Sequence, residues 1–254
     1  MSVELHHRFD GPAGAPVLVL GSSLGTTGAM WDDNVEALNQ SFRLLRYDTR
    51  GHGGSPVPDG PYTMDELGAD VLTLLDRLEL ERVCLCGLSI GGMIGMWLAS
   101  EAPERVDRLV LCCTVPHFPP RDLWDERIEV VRTQGIEPMV ESALDRWLPP
   151  EVRAARPAAE EHLRDLIRST PPEGYAGCCE AIRDMDLRYR LPRIEAPTLV
   201  VAGSQDPSTP AEKVRTIADA LRDAHYVELD GAAHIANVAR PAEFERAVLD
   251  HLSA

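Results

Sequence analysis

Cys86-Gly87-Leu88-Ser89-Ile90-Gly91-Gly92-Met93 sets one serine among glycines. Residues 83–86 just before it are an apolar run of strand type, and residues 93–102 just after it repeat with a helical period. Gly-x-Ser-x-Gly at a strand-to-helix turn holds a serine hydroxyl out at the end of a sheet. The chain reverses within so few residues that the serine takes a strained backbone conformation, and its neighbours must lack bulk. The helix behind the turn aims amide N–H groups at charge developing near Ser89. Taken alone, the five residues also fit a glycine-rich turn with no chemistry, so their surroundings decide. A phosphate cradle is disfavoured, because no Gly-Lys-Ser/Thr occurs and no Gly-x-Gly-x-x-Gly opens the first helix.

Working outward, residues 17–20, 42–47, 83–86, 109–115, 198–202 and 226–229 read as strands, mostly buried on both faces. Residues 64–78, 93–102, 211–221 and 242–252 read as helices, with start signals at Thr63 and Pro241. Strands alternating with helices imply an α/β fold with a mostly parallel sheet covered on both faces. Residues 116–191 break the alternation. They contain no convincing strand, three Pro-Pro pairs, and Trp124 and Trp147. A single crossover needs far fewer residues. The expected organisation is therefore a core of residues 1–115 and 192–254 with a helical lid, or cap, at 116–191.

A serine at its free pKa needs a base, and the base needs an orienting acid. Leu199-Val-Val-Ala-Gly-Ser-Gln-Asp206 is a strand ending in a turn with an aspartate, and Tyr226-Val-Glu-Leu-Asp-Gly-Ala-Ala-His234 is a strand followed by a small-residue loop ending in histidine. Both residues fall past the carboxyl ends of their strands, where open α/β sheets bind ligands. The order Ser89, Asp206, His234 is the triad order of serine hydrolases built on such a sheet. Asp230 faces elsewhere on this reading, His225 precedes its strand at the wrong end, His6 and His7 are near the terminus, and His251 is on the last helix. His117, at the start of the insertion, remains open as a substrate contact or a solvated loop residue. The oxyanion hole is expected from the backbone N–H of Ile90 and an N–H of the loop 21–26, with Leu24 the best candidate.

The bulk composition narrows the partners. The 254 residues carry a formal charge of −16, which disfavours nucleic acid and anionic membranes. No signal pattern or membrane-length apolar run occurs, and the six cysteines lack zinc spacing. A cytoplasmic protein with reduced core cysteines is expected.

Across essentially its whole length the chain resembles the α/β-hydrolase fold. The stretches Ser23-Leu-Gly-Thr26 with Met30-Trp31, Tyr47-Asp-Thr-Arg-Gly-His-Gly53, Gly87-Leu-Ser-Ile-Gly-Gly92 and Gly177-Cys-Cys-Glu-Ala-Ile-Arg-Asp-Met-Asp186 together are similar to the 3-oxoadipate enol-lactonases of bacterial aromatic degradation. The resemblance implies hydrolysis of a small anionic lactone without cofactor or metal, by a triad carried over onto Ser89, Asp206 and His234. It is also compatible with a homo-oligomer, or with a separated half of a fusion with a decarboxylase. The substrate carboxylate then requires a cation, for which Arg121, Arg127, Arg146, Arg183 and Arg188 all stay open, and Trp124 is the expected apolar wall. A general carboxylesterase, another small-lactone hydrolase, or a ligand sensor on a hydrolase scaffold would share the same triad.

Overall fold

The computed structural model describes residues 2–253. Seven strands, β1 (His7–Asp10), β2 (Val17–Gly21), β3 (Arg43–Tyr47), β4 (Val83–Leu88), β5 (Val106–Cys112), β6 (Thr198–Gly203) and β7 (Ala224–Leu229), form one sheet in the order β1-β3-β2-β4-β5-β6-β7. Only β1 runs antiparallel to its neighbour; every other pairing is parallel. β4 and β6 are buried along their whole length because helices cover both faces. One apolar cluster packs under the helices Met64–Arg77, Ile90–Glu101 and Ala211–Ala220, and a second under Pro241–Leu252 around Trp31 and Phe244. Thr63 and Glu66 close a capping box at the start of Met64–Arg77, and Pro241 is the first residue of its helix, as the start signals require.

Between β5 and β6 the chain makes five helices: Arg121–Gln134, Glu137–Trp147, Pro150–Ala155, Pro157–Arg168 and Pro172–Asp184. The Pro-Pro pairs mark helix beginnings here. Pro150 and Pro172 each occupy a first helical position, where a missing N–H costs nothing. Arg132 on the first of these helices reaches both Glu173 and Glu180 on the last and ties the ends of the insertion together.

Three departures from the sequence reading have physical causes. β1 escapes notice because His7-Arg-Phe-Asp10 is a short, half-exposed edge strand with little apolar pattern. The helix after the turn starts at Ile90 rather than 93, directly behind Ser89. Its two glycines, poor helix formers, are retained because the helix presses against β2: a Cβ on Gly91 would sit 2.4 Å from the Gly21 backbone. His225 lies within β7, not before it, although still at the amino end. No helix among the described residues is long and apolar enough to cross a membrane.

Candidate active site

β4 delivers Ser89 to the carboxyl edge of the sheet with φ 58° and ψ −119°, the left-handed strained conformation the turn demands. Three contacts hold it there. The Ser89 N–H donates to the Cys112 carbonyl (2.9 Å), and the Ser89 carbonyl accepts from Met93 N–H (3.0 Å) and from the Thr114 hydroxyl (2.8 Å). A Cβ on Gly87 would come 2.2 Å from the Gly91 oxygen, so glycine is obligatory on this side of the turn.

Asp206 and His234 meet 28 positions apart in sequence, with His234 Nδ1 at 2.8 Å from Asp206 Oδ2. Asp206 also accepts from the Ser208 N–H (2.8 Å), the Thr209 N–H (3.1 Å) and the Thr209 hydroxyl (2.5 Å). Burial pushes the Asp206 carboxyl up, but the His234 charge and these donors outweigh it and hold the group below its ordinary range. An ionised Asp206 fixes the His234 proton on Nδ1 and leaves Nε2 as the available base. The His234 N–H itself points back to the Arg146 carbonyl at 3.4 Å, and the Ile235 N–H to the Trp147 carbonyl at 3.1 Å, so the helix Glu137–Trp147 buttresses the histidine loop.

Ser89 and His234 line a cavity of about 210 Å³ together with Leu24, Phe118, Trp124, Trp147, Tyr175 and other residues. That is below the roughly 300–1,000 Å³ of sites for drug-sized ligands. A larger, open groove of about 1010 Å³ along β7 and the last helix is lined by neither Ser89, Asp206 nor His234; charged and apolar side chains alternate in it. The insertion supplies most of the smaller cavity's wall. The Trp124 indole donates to the Phe118 carbonyl (3.1 Å) and stacks edge-on against the Phe118 ring, with centroids 5.0 Å apart.

Residues 116–191 contain eleven arginines. Nine of them, Arg121, Arg183 and Arg188 included, are ion-paired with carboxylates. Among the described residues the two without a paired carboxylate are Arg127 and Arg146, and both line the cavity. The Arg127 guanidinium lies 4.8 Å above the Trp124 ring. Burial, then the like charge of Arg127, pushes the Arg146 pKa down from its usual value. Tyr175, raised to about 12 by burial, feels both guanidiniums. His117 is outside the cavity: it bridges to Asp186, its Nδ1 lies 3.2 Å from the Met185 carbonyl, and it pins the two ends of the insertion together.

Leu24 lies in the wall, and Ile90 opens a helix, so its N–H has no acceptor within that helix. The Gly91 N–H donates to the Ser22 carbonyl (3.1 Å) and joins the loop of Leu24 to the elbow. The sequence reading missed His52, which holds that loop from behind. The Gly25 N–H donates to His52 Nε2 at 3.0 Å, and Nδ1 lies 3.2 Å from the Arg50 carbonyl. With Nε2 accepting, the proton must be on Nδ1, and the ring is neutral. Complete burial pushes its pKa down to about 4. Its only signal in the sequence was its place in the turn Asp48-Thr-Arg-Gly-His-Gly53.

The signature of the α/β-hydrolase fold matches residues 16–134, and that of TAP-like proteins matches residues 175–252. The chain is 38% identical to 3-oxoadipate enol-lactonase 2 of Acinetobacter baylyi, over 97% of this chain and 92% of that one. The chain is 34% identical to a Rhizobium rhizogenes protein that bears the name "Putative carbamate hydrolase RutD", over 98% of this chain and 96% of that one. The crystal structure of the enol-lactonase from Burkholderia xenovorans superposes with a TM-score of 0.97 at 41% identity, covering 99% of this chain and 97% of that one.

Proposed function

Because the chain belongs to the α/β-hydrolase family, we propose that it opens the lactone ring of 3-oxoadipate enol-lactone, giving 3-oxoadipate through an acyl-enzyme on Ser89. One observation carries the choice of substrate: a small cavity joins Ser89 to the two arginines of the insertion that lack a carboxylate partner. A compact ester bearing its own carboxylate suits such a site, because a charge-assisted bond to guanidinium forms only with an anion. The enol-lactonase of Acinetobacter baylyi, 38% identical, supports the same reading.

In this mechanism His234 Nε2 removes the Ser89 proton as Oγ attacks the lactone carbonyl. Asp206 steadies the imidazolium, and the Leu24 and Ile90 amides receive the oxyanion, worth roughly 3–4 kcal/mol per donor in comparable sites. The C–O bond of the ring breaks and releases an enolate, which takes the proton His234 received from Ser89 and becomes a ketone, leaving His234 neutral again. That leaving group is far better than an alkoxide, so acylation requires little acid assistance. Water activated by His234 then releases the acid. Trp124 forms the flat wall beside the ring, Arg127 above it holds the carboxylate, and the insertion acts as the lid that excludes bulk water.

Turnover of the enol-lactone, of a neutral nitrophenyl ester and of a small carbamate tests the reading. The lactone should win by kcat/KM. A carbamate preference would favour the RutD-like alternative, in which the departing nitrogen must be protonated by His234. Ser89→Ala should lower turnover at least a thousandfold with unfolding unchanged; retention of most activity would remove Ser89 from the mechanism.

A further inference from the structure

The lactone carries one free carboxylate, whereas the cavity carries two arginines without carboxylate partners. On the proposed reaction the second anion appears only at the end of the cycle. Water adds to the acyl carbonyl, the bond from carbon to Ser89 Oγ breaks, and Oγ recovers its proton from His234. The new acid then loses its own proton to solvent, leaving a second carboxylate beside Ser89.

The two guanidiniums are near enough for the like charge of one to act on the other, and they enter the cavity from different helices. Arg127 rises from the helix Arg121–Gln134 over Trp124. Arg146 lies in the last turn of the helix Glu137–Trp147; its backbone carbonyl accepts the His234 N–H, and of the two guanidiniums it is the one on which the Asp206 charge is seen to act. The charged and titratable groups that act on it are Arg127, Tyr175, Asp145 and Asp206. Asp206 is already committed to His234, Ser208 and Thr209, and Asp145 pairs with Arg153 at the surface. Neither neutralises Arg146 directly.

We propose that Arg146 is a second anion contact, which takes the carboxylate formed at Ser89 and makes the cavity a two-point site for short dicarboxylates. The proposal rests on the reading of Ser89 as the acylated residue. It assigns Arg127 to the carboxylate present throughout and Arg146 to the one created by hydrolysis. Arg146 thereby sets product affinity, and it sets the preference for substrates whose product is dianionic.

The test is inhibition of nitrophenyl acetate hydrolysis by adipate and by adipamate, its isosteric monoamide, at fixed ionic strength. This neutral substrate reports on Ser89 whether or not the enol-lactone is turned over. The wild-type protein should bind adipate about tenfold or more tighter than adipamate. Arg146→Gln should abolish that preference, Arg146→Lys should keep part of it, and Arg127→Gln should weaken both ligands together. Thermal unfolding of each variant, with the lysine variant as the conservative control, separates loss of the site from loss of the fold. An adipate preference that survives Arg146→Gln, or is absent from the wild type, overturns the assignment. Failure to turn over the enol-lactone with the Arg146-dependent preference intact would overturn the substrate reading and leave the two-point site standing.

Discussion

His52 offers a quantitative test of how the loop that carries Leu24 is built. Its ring is neutral in the folded protein, because Nε2 must accept from Gly25 and burial opposes charge, which brings its pKa to about 4. In the unfolded chain the same histidine titrates near 6.5. The folded pKa is the depressed one, so the unfolded state binds the extra proton, and stability falls as pH drops from about 6.5 to about 4. The contribution is fully present above about 6.5. At roughly 1.4 kcal/mol per unit, this one residue accounts for a loss of about 3 kcal/mol across the window. Asp48, the nearby carboxylate, acts in the opposite direction and is already included in that value. Urea unfolding at a series of pH values, for wild type and His52→Gln, isolates the effect: Gln cannot ionise, and other titrating groups such as His251 cancel in the difference. The stability difference between the two proteins should shrink by about 3 kcal/mol as pH falls through the window. A difference that stays constant with pH would refute the buried neutral ring. His52→Ala at neutral pH, by freeing Gly25 and the neighbouring Leu24 amide, should also lower kcat about tenfold to a hundredfold while leaving KM nearly unchanged. The amide oxygen of the glutamine variant can still accept from Gly25 and should restore part of that loss.

Other substitutions probe the remaining supports. Gly91→Ala puts a Cβ 2.4 Å from the Gly21 backbone; the melting temperature should drop by an amount equivalent to 2 kcal/mol or more, at the upper end of overpacking effects, or no folded protein should be recovered. Thr209→Val removes the 2.5 Å donor to Asp206; kcat should fall about tenfold, with the acidic limb of the kcat/KM profile displaced, because the acid then orients His234 less firmly. Arg183→Gln removes a cation of the insertion already paired with Asp125 and Asp184; KM for an anionic substrate should stay within about twofold, since exposed pairs contribute little and this one lies outside the cavity.

The parts that sequence made legible were those fixed by local chemistry. Gly87, Ser89 and Gly91 specify a turn few other residues could make, and Asp206 and His234 each follow a strand whose apolar run is unmistakable. Their convergence needed only the rule that parallel strands end on one side of a sheet. The less legible parts depend on packing between distant segments. Nothing local separates Arg127 and Arg146 from the other nine arginines of the insertion; the distinction is which guanidiniums meet a carboxylate, and those partners come from as far away as Asp33, Asp65 and Glu101. His52 looked like one residue of a turn because its role is to catch the Gly25 amide, 27 positions upstream. The half-exposed β1 lacks the apolar pattern that makes a strand visible.

The charge of the chain and the charge of its site point in opposite directions, and the insertion reconciles them. A molecule with net charge −16 repels an anion at long range, but beyond about 8 Å salt removes most of that field. Within the cavity, burial weakens screening and strengthens each nearby charge. The nine paired arginines contribute little net field there, because each is held against at least one carboxylate, some of them shared between two arginines. Arg127 and Arg146 against Asp206 leave one positive charge in excess around Ser89 while His234 is neutral. A neutral ester gains nothing from that excess, whereas an anionic one gains a charge-assisted contact at the moment it leaves water. On the proposed reading, the elbow and its two partners therefore determine which bond breaks. Which molecule is admitted depends on the pairing pattern of the insertion's arginines, where leaving two of them unpaired is the specificity element.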